Sequence, residues 1–148
     1  MKILIAGLLS VGATFFCGPM DTMQPVPPGK MVIMNAVETK WQHDAGDPAG
    51  SQTIVLREDP QTQSVELLAR YPAGHVFPPH WHSANERILL LEGRLSIQNE
   101  NTVEYLDTGG FAYLPATQPQ KMACVSKTRC SFYVYWDGKL DFHKVEGK

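Results

Sequence analysis

The chain has 148 residues, a formal net charge of −2 at pH 7, 43% apolar residues and 19% charged residues. That length suits one domain, large enough to bury a core without disulfide staples. The apolar content argues against a disordered chain, and the absence of any Lys/Arg run argues against a nucleic-acid-binding face.

The N-terminus has the pattern of an address. Lys2 precedes an apolar run from Ile3 to Phe16, broken only by glycine and small residues. The run is short for a membrane span and fits the apolar region of a signal peptide. Residues 1–20 are expected to be a leader, with export to a bacterial periplasm and no membrane contact beyond it. A buried first strand or an uncleaved anchor is the alternative. Cys17 follows Phe16, where a lipoprotein signal requires a small residue. Residues 21–30 contain Gln24-Pro25-Val26-Pro27-Pro28-Gly29, which suits neither a regular helix nor a central strand. They are expected to form a linker, and residues 31–148 the folded unit.

Short strands separated by turn signals follow. Strands are expected over residues 31–37, 53–56, 65–71 (ended by Pro72-Ala73-Gly74), 88–91, 95–97 and 111–114. Two more, over 121–125 and 130–136, flank Ser126-Lys127-Thr128-Arg129 as a hairpin. No window after the leader shows a convincing period of 3.6. Many short strands at close spacing imply an all-β sandwich or barrel.

Chemistry concentrates in Gly74-His75-Val76-Phe77-Pro78-Pro79-His80-Trp81-His82-Ser83-Ala84-Asn85-Glu86, closed by Gly93. On an extended strand His80 and His82 point the same way and Trp81 the other. Ile88 and Leu90 share parity with Glu86 and are expected to line the interior, with Arg87 at the surface. Two imidazoles and a carboxylate suit a divalent first-row metal and leave coordination positions open. Taken alone, the same residues could be surface histidines beside a solvated glutamate.

The spacing of Gly74, His80, His82, Glu86 and Gly93 resembles the first motif of the cupin superfamily at every position. The second cupin motif is degenerate. Gly109 and Pro115 match it, whereas Thr117 replaces a glycine, Gln120 the histidine ligand and Cys124 an asparagine. The resemblance runs from about Trp41 to the C-terminus and includes the tail Phe132 to Gly138 with Asp141-Phe142. It implies a six-to-eight-stranded jelly-roll β-barrel with a metal at one mouth, held by His80, His82 and Glu86 with Gln120 in the fourth position.

A neutral amide oxygen at position 120 keeps the site's charge and favours Fe2+ or Mn2+, with Zn2+ or Ni2+ also accepted. Gln120 could instead hydrogen-bond a bound water or substrate oxygen. A cupin that has lost its metal is the competing reading. His43, His75 and His143 lie outside the second motif and offer no evident replacement.

Cys124 and Cys130 would face each other across the expected hairpin. A disulfide in an oxidising compartment and a pair of reduced core thiols both remain open.

Three functional classes stay open. One is a small-molecule dioxygenase, with Glu86 as metal ligand or catalytic base. Another is a metal-dependent isomerase or lyase acting on a sugar or keto acid. The third is a binding or sensing module without turnover. A small-molecule ligand is expected in each case, and a homodimer through edge-strand pairing is a further expectation.

Overall fold

The computed structural model describes residues 31–35, 39–43 and 50–145; the expected leader and linker lie outside the described residues. Among the described residues ten strands, against the six to eight expected, follow in chain order: β1 (Gln52–Glu58), β2 (Val65–Tyr71), β3 (Val76–Trp81), β4 (Glu86–Glu92), β5 (Arg94–Asn99), β6 (Thr102–Asp107), β7 (Phe111–Leu114), β8 (Gln120–Cys124), β9 (Cys130–Trp136) and β10 (His143–Lys144). They form two five-stranded sheets, β1-β2-β9-β4-β7 and β10-β3-β8-β5-β6. Every pairing between these strands is antiparallel. The sheets pack face to face as a jelly roll, the expected all-β class.

Period-two patterning explains why these segments are strands and which face they bury. Along β9, Cys130, Phe132, Val134 and Trp136 point into the core. Ile88 and Leu90 on β4 do the same, as their parity with Glu86 implies, and meet Leu95 and Ile97 of the other sheet. Each such large apolar side chain contributes roughly 1.5–3 kcal/mol on leaving water.

Four expectations need correction. Residues 31–35 are not a strand; Met31 and Ile33 stand exposed and pair with no strand among the described residues, and residues 36–38 lie outside the described residues. The sequence reading missed β6, a sheet-edge strand with all residues but Leu106 exposed, which therefore lacks the alternation of a half-buried strand. It also missed the two-residue β10. Finally, 121–125 and 130–136 do not form a hairpin. β8 pairs with β3 and β5, β9 pairs with β2 and β4, and the turn between them crosses from one sheet to the other.

Cys124 and Cys130 are joined by a disulfide across that turn. It links the two sheets rather than neighbouring strands of one sheet. Gly93, at the β4–β5 turn, has φ +91°, and a Cβ there would lie 2.7 Å from the Arg129 carbonyl oxygen and 2.9 Å from Cys130 Sγ. Only glycine fits both the conformation and the close approach.

Candidate metal site

Among the described residues the buried polar or charged side chains are Ser51, His80, His82, Glu86 and Gln120. Four of these five are the residues singled out by spacing. An interior polar group is costly unless partnered, so their gathering marks a site rather than a solvated surface.

Local sequence accounts for their placement. Pro78 and Pro79 have no N–H for the ladder, and the β3–β8 pairing shifts between Phe77 and His80. Pairing resumes with His80 opposite Gln120. His82 lies just beyond β3, and Glu86 opens β4 in the facing sheet, opposite Trp136. The site therefore spans both sheets.

Each histidine is oriented by a backbone carbonyl. His80 Nδ1 lies 2.7 Å from the Pro78 carbonyl oxygen, and His82 Nδ1 is hydrogen-bonded to that of Asp141. A carbonyl can only accept, so both Nδ1 atoms carry the proton and both Nε2 atoms keep a lone pair. Burial lowers the pKa of each imidazole, against the opposing pull of those carbonyls, and keeps the lone pairs available at neutral pH. The two rings meet edge to face with centroids 4.9 Å apart.

Glu86 is pushed up to a pKa of about 7 by burial, partly offset by a hydrogen bond from Gln120. Gln120 Nε2 donates to Glu86 Oε2 at 2.7 Å, and His82 Nε2 lies 3.6 Å from the same oxygen. The amide nitrogen is thus committed to Glu86, and any bond to a metal or substrate falls to Oε1. Among the described residues no three His, Cys, Asp or Glu side chains form a ready metal-holding group. In donor type the set still fits a divalent first-row ion: two imidazole nitrogens with fixed tautomers, a carboxylate and an amide.

Residues far along the chain complete the site, and sequence spacing did not reveal them. The 138–145 tail returns across the mouth of the barrel. Asp141 Oδ1 accepts from the Ser83 N–H at 2.8 Å, and the Val145 N–H donates to Pro79 O at 2.9 Å. Phe142 stacks on His80 with centroids 4.3 Å apart. Asn85 anchors the connection between His82 and Glu86, donating to both Asp137 oxygens and accepting from the Ala116 N–H at 2.9 Å. Of the other histidines, His43 and His75 stand apart from this cluster, and His143 lies at its edge, 3.1 Å from Asp141 Oδ2. His43 Nδ1 contacts Ser51 O, His75 packs on Tyr71 and Phe77, and His143 stacks on Trp81.

A cavity of about 540 Å³ opens beside His80, with Phe77, Phe132, Val134, Trp136 and Phe142 among its lining residues. A jelly-roll barrel with two paired histidines and a glutamate in its mouth is the architecture of a cupin.

The chain belongs to the ChrR Cupin-like domain family, whose profile it matches over residues 29–137. It is 31% identical over 96 residues to the DNA damage-repair/toleration protein DRT102 of Arabidopsis thaliana, a match covering 64% of this chain and 29% of that protein. The chain thus spans under a third of that relative's length. Among solved structures it is similar to the polyketide cyclase RemF from Streptomyces resistomycificus, with TM-score 0.64, 17% identity and coverage of 80% of this chain and 88% of that one. It is also similar to a putative acetylacetone dioxygenase from Methylibium petroleiphilum PM1, with TM-score 0.63, 18% identity and coverage of 79% and 82%. At such identities the likeness is one of fold, and the fold accommodates unrelated reactions.

Proposed function

We propose that this chain is a metal-dependent cupin enzyme acting on a small molecule. His80 Nε2, His82 Nε2 and the Glu86 carboxylate hold a divalent first-row ion, with Gln120 beside them. The observation that carries this reading is the pinning of both Nδ1–H groups by backbone carbonyls, which leaves two Nε2 lone pairs next to a buried carboxyl. The hard carboxylate and amide oxygens favour ferrous iron or manganese. Such an ion would supply Lewis acidity and, as ferrous iron, reactivity towards dioxygen.

The chain's own residues have three tasks. The barrel wall excludes water from the reacting centre. Gln120 Nε2 orients Glu86 through its hydrogen bond to Oε2. In the metal-free protein Glu86, with a pKa of about 7, keeps its proton to near neutral pH, and holding the ion would draw on its carboxylate form. Dioxygenation is the reaction class to test first. The Cys124–Cys130 disulfide supports export to an oxidising compartment.

The test is metal analysis of natively purified protein, repeated for His82→Ala and Gln120→His. Wild type should carry stoichiometric metal, His82→Ala should lose it, and Gln120→His should keep it. A metal-free wild type, unchanged by His82→Ala, would end the metal reading. Oxygen uptake after anaerobic ferrous loading supports the dioxygenase; turnover indifferent to oxygen points to the isomerase or lyase. Tight metal binding without turnover leaves a binding module.

A further inference from the structure

The chemistry of the cavity beside His80 narrows the ligand class. Its walls are chiefly aliphatic and aromatic, with Leu67, Phe77, Phe132, Trp136 and Phe142 among the lining side chains. Among the described residues no lysine or arginine lines it. In the metal-free protein a carboxylate or phosphate entering there would lose its water and gain no cationic partner, a costly exchange.

The one acidic lining residue, Asp141, reinforces this exclusion. Its oxygens are occupied by the Ser83 N–H and by His143 Nε2, 3.1 Å away, rather than offered to a ligand. Neutral polar side chains are few: Gln42 and Thr53 from β1 and the segment before it, Tyr71 from β2 and His80 from β3. A sugar, which needs a hydrogen-bond partner for most of its hydroxyls, is poorly served by such walls.

One wall residue has an unmet need. Trp136 Nε1 is buried and meets no acceptor among the described residues, and its ring packs against His82 with centroids 5.6 Å apart. A buried donor without an acceptor is costly, and a ligand oxygen admitted to it by a small shift of its surroundings would relieve that cost. The volume, about 540 Å³, is that of a pocket for one small molecule.

We propose that the substrate is a compact, uncharged, largely aromatic molecule carrying an oxygen acceptor, bound between β1, β2, β9 and the C-terminal tail with its oxygen directed to the His80–His82 end. This rests on the cupin-enzyme reading for its role as substrate, but the binding itself does not require a metal. In the metal-free protein phosphorylated compounds, sugar acids and keto acids are disfavoured as ligands of this cavity.

The experiment compares 2-naphthol with 2-naphthoate, matched in shape and differing in charge, by calorimetric titration at pH 7 into metal-loaded and chelator-treated full-length protein. In the chelator-treated protein 2-naphthol should bind at least 10-fold more tightly than 2-naphthoate. Val55→Trp, which fills the cavity from β1, should weaken 2-naphthol at least 10-fold. Thr53→Phe, on the same wall, should do likewise and covers the case in which Val55→Trp fails to fold. Equal or tighter binding of 2-naphthoate without metal overturns the proposal, as does 2-naphthol affinity unchanged by a folded wall variant. If no metal binds but 2-naphthol behaves as stated, the metal reading fails and the ligand class stands. If metal binds and 2-naphthol does not, the reverse holds.

Discussion

Glu86 shows how one buried carboxyl sets the pH response of the metal-free protein. Burial raises its pKa from 4.5 to about 7. Between those values the folded state keeps a proton that the unfolded chain has released, so stability falls as pH rises through this window. Above pH 7 the full penalty is present, on the order of 3 kcal/mol as an upper bound. Glu86→Gln removes that titration and keeps an acceptor for Gln120. In chelator-treated protein it should exceed wild type in urea-unfolding stability by about 2–3 kcal/mol at pH 8, with the gap closing towards pH 5. A gap of equal size at both pH values would refute the assignment. His80 and His82 act in the opposite sense: their lowered pKa values cost stability as pH drops below 6.5, equally in both proteins. Thr117, where the second motif has glycine, keeps a glycine conformation with φ +63° while its N–H donates to His82 O at 2.8 Å. A β-branched residue is strained there. Thr117→Gly should raise stability by about 1 kcal/mol, measurable as a melting point higher by roughly 4 °C.

At the scale of elements, the tail from Lys139 to Val145 does more for the site than its single short strand suggests. It supplies the carbonyl that orients His82, the ring that covers His80 and the β10 pairing of His143 with Trp81 and Lys144 with His80. Partners of this kind fix the tautomer and direction of a ligating imidazole, and their loss typically weakens a metal 10–100-fold. Truncation after Gly138 leaves β1–β9 in place, so circular dichroism should stay strand-like while metal affinity falls by about that factor in a chelator competition. Unchanged affinity would mean that the histidines need no help from the tail. Nothing in His80-Trp81-His82 announces this dependence, because the partner of His82 lies 59 residues away.

At the scale of the whole molecule, the site exists because two sheets meet: His80 and Gln120 come from one and Glu86 from the other. The disulfide ties the same two sheets across the β8–β9 turn. For so short a loop the chain-entropy estimate is about 2 kcal/mol, so Cys124→Ala/Cys130→Ala should lose roughly that much in urea unfolding. In unreduced wild type neither thiol should titrate with Ellman's reagent; two titratable core thiols would contradict the bridge. Much of the fold and of the candidate site was legible in the sequence. The strands over 65–71, 111–114 and 130–136 match β2, β7 and β9, because half-buried strands must alternate. The set His80, His82 and Glu86 stood out because metal-ligand spacing is a local property of the chain. Edge strand β6, exposed on nearly all its length, had no alternation to display. The parts decided by tertiary structure are those made by residues distant in sequence. They are the crossing of β8 and β9 into different sheets, the bond that commits Gln120 to Glu86, the carbonyl of Asp141 behind His82 and the cavity beside His80 with no lysine or arginine in its lining. Local patterning can specify which faces are buried and which side chains share them, but which buried groups end up within hydrogen-bonding distance depends on how the two sheets close on each other.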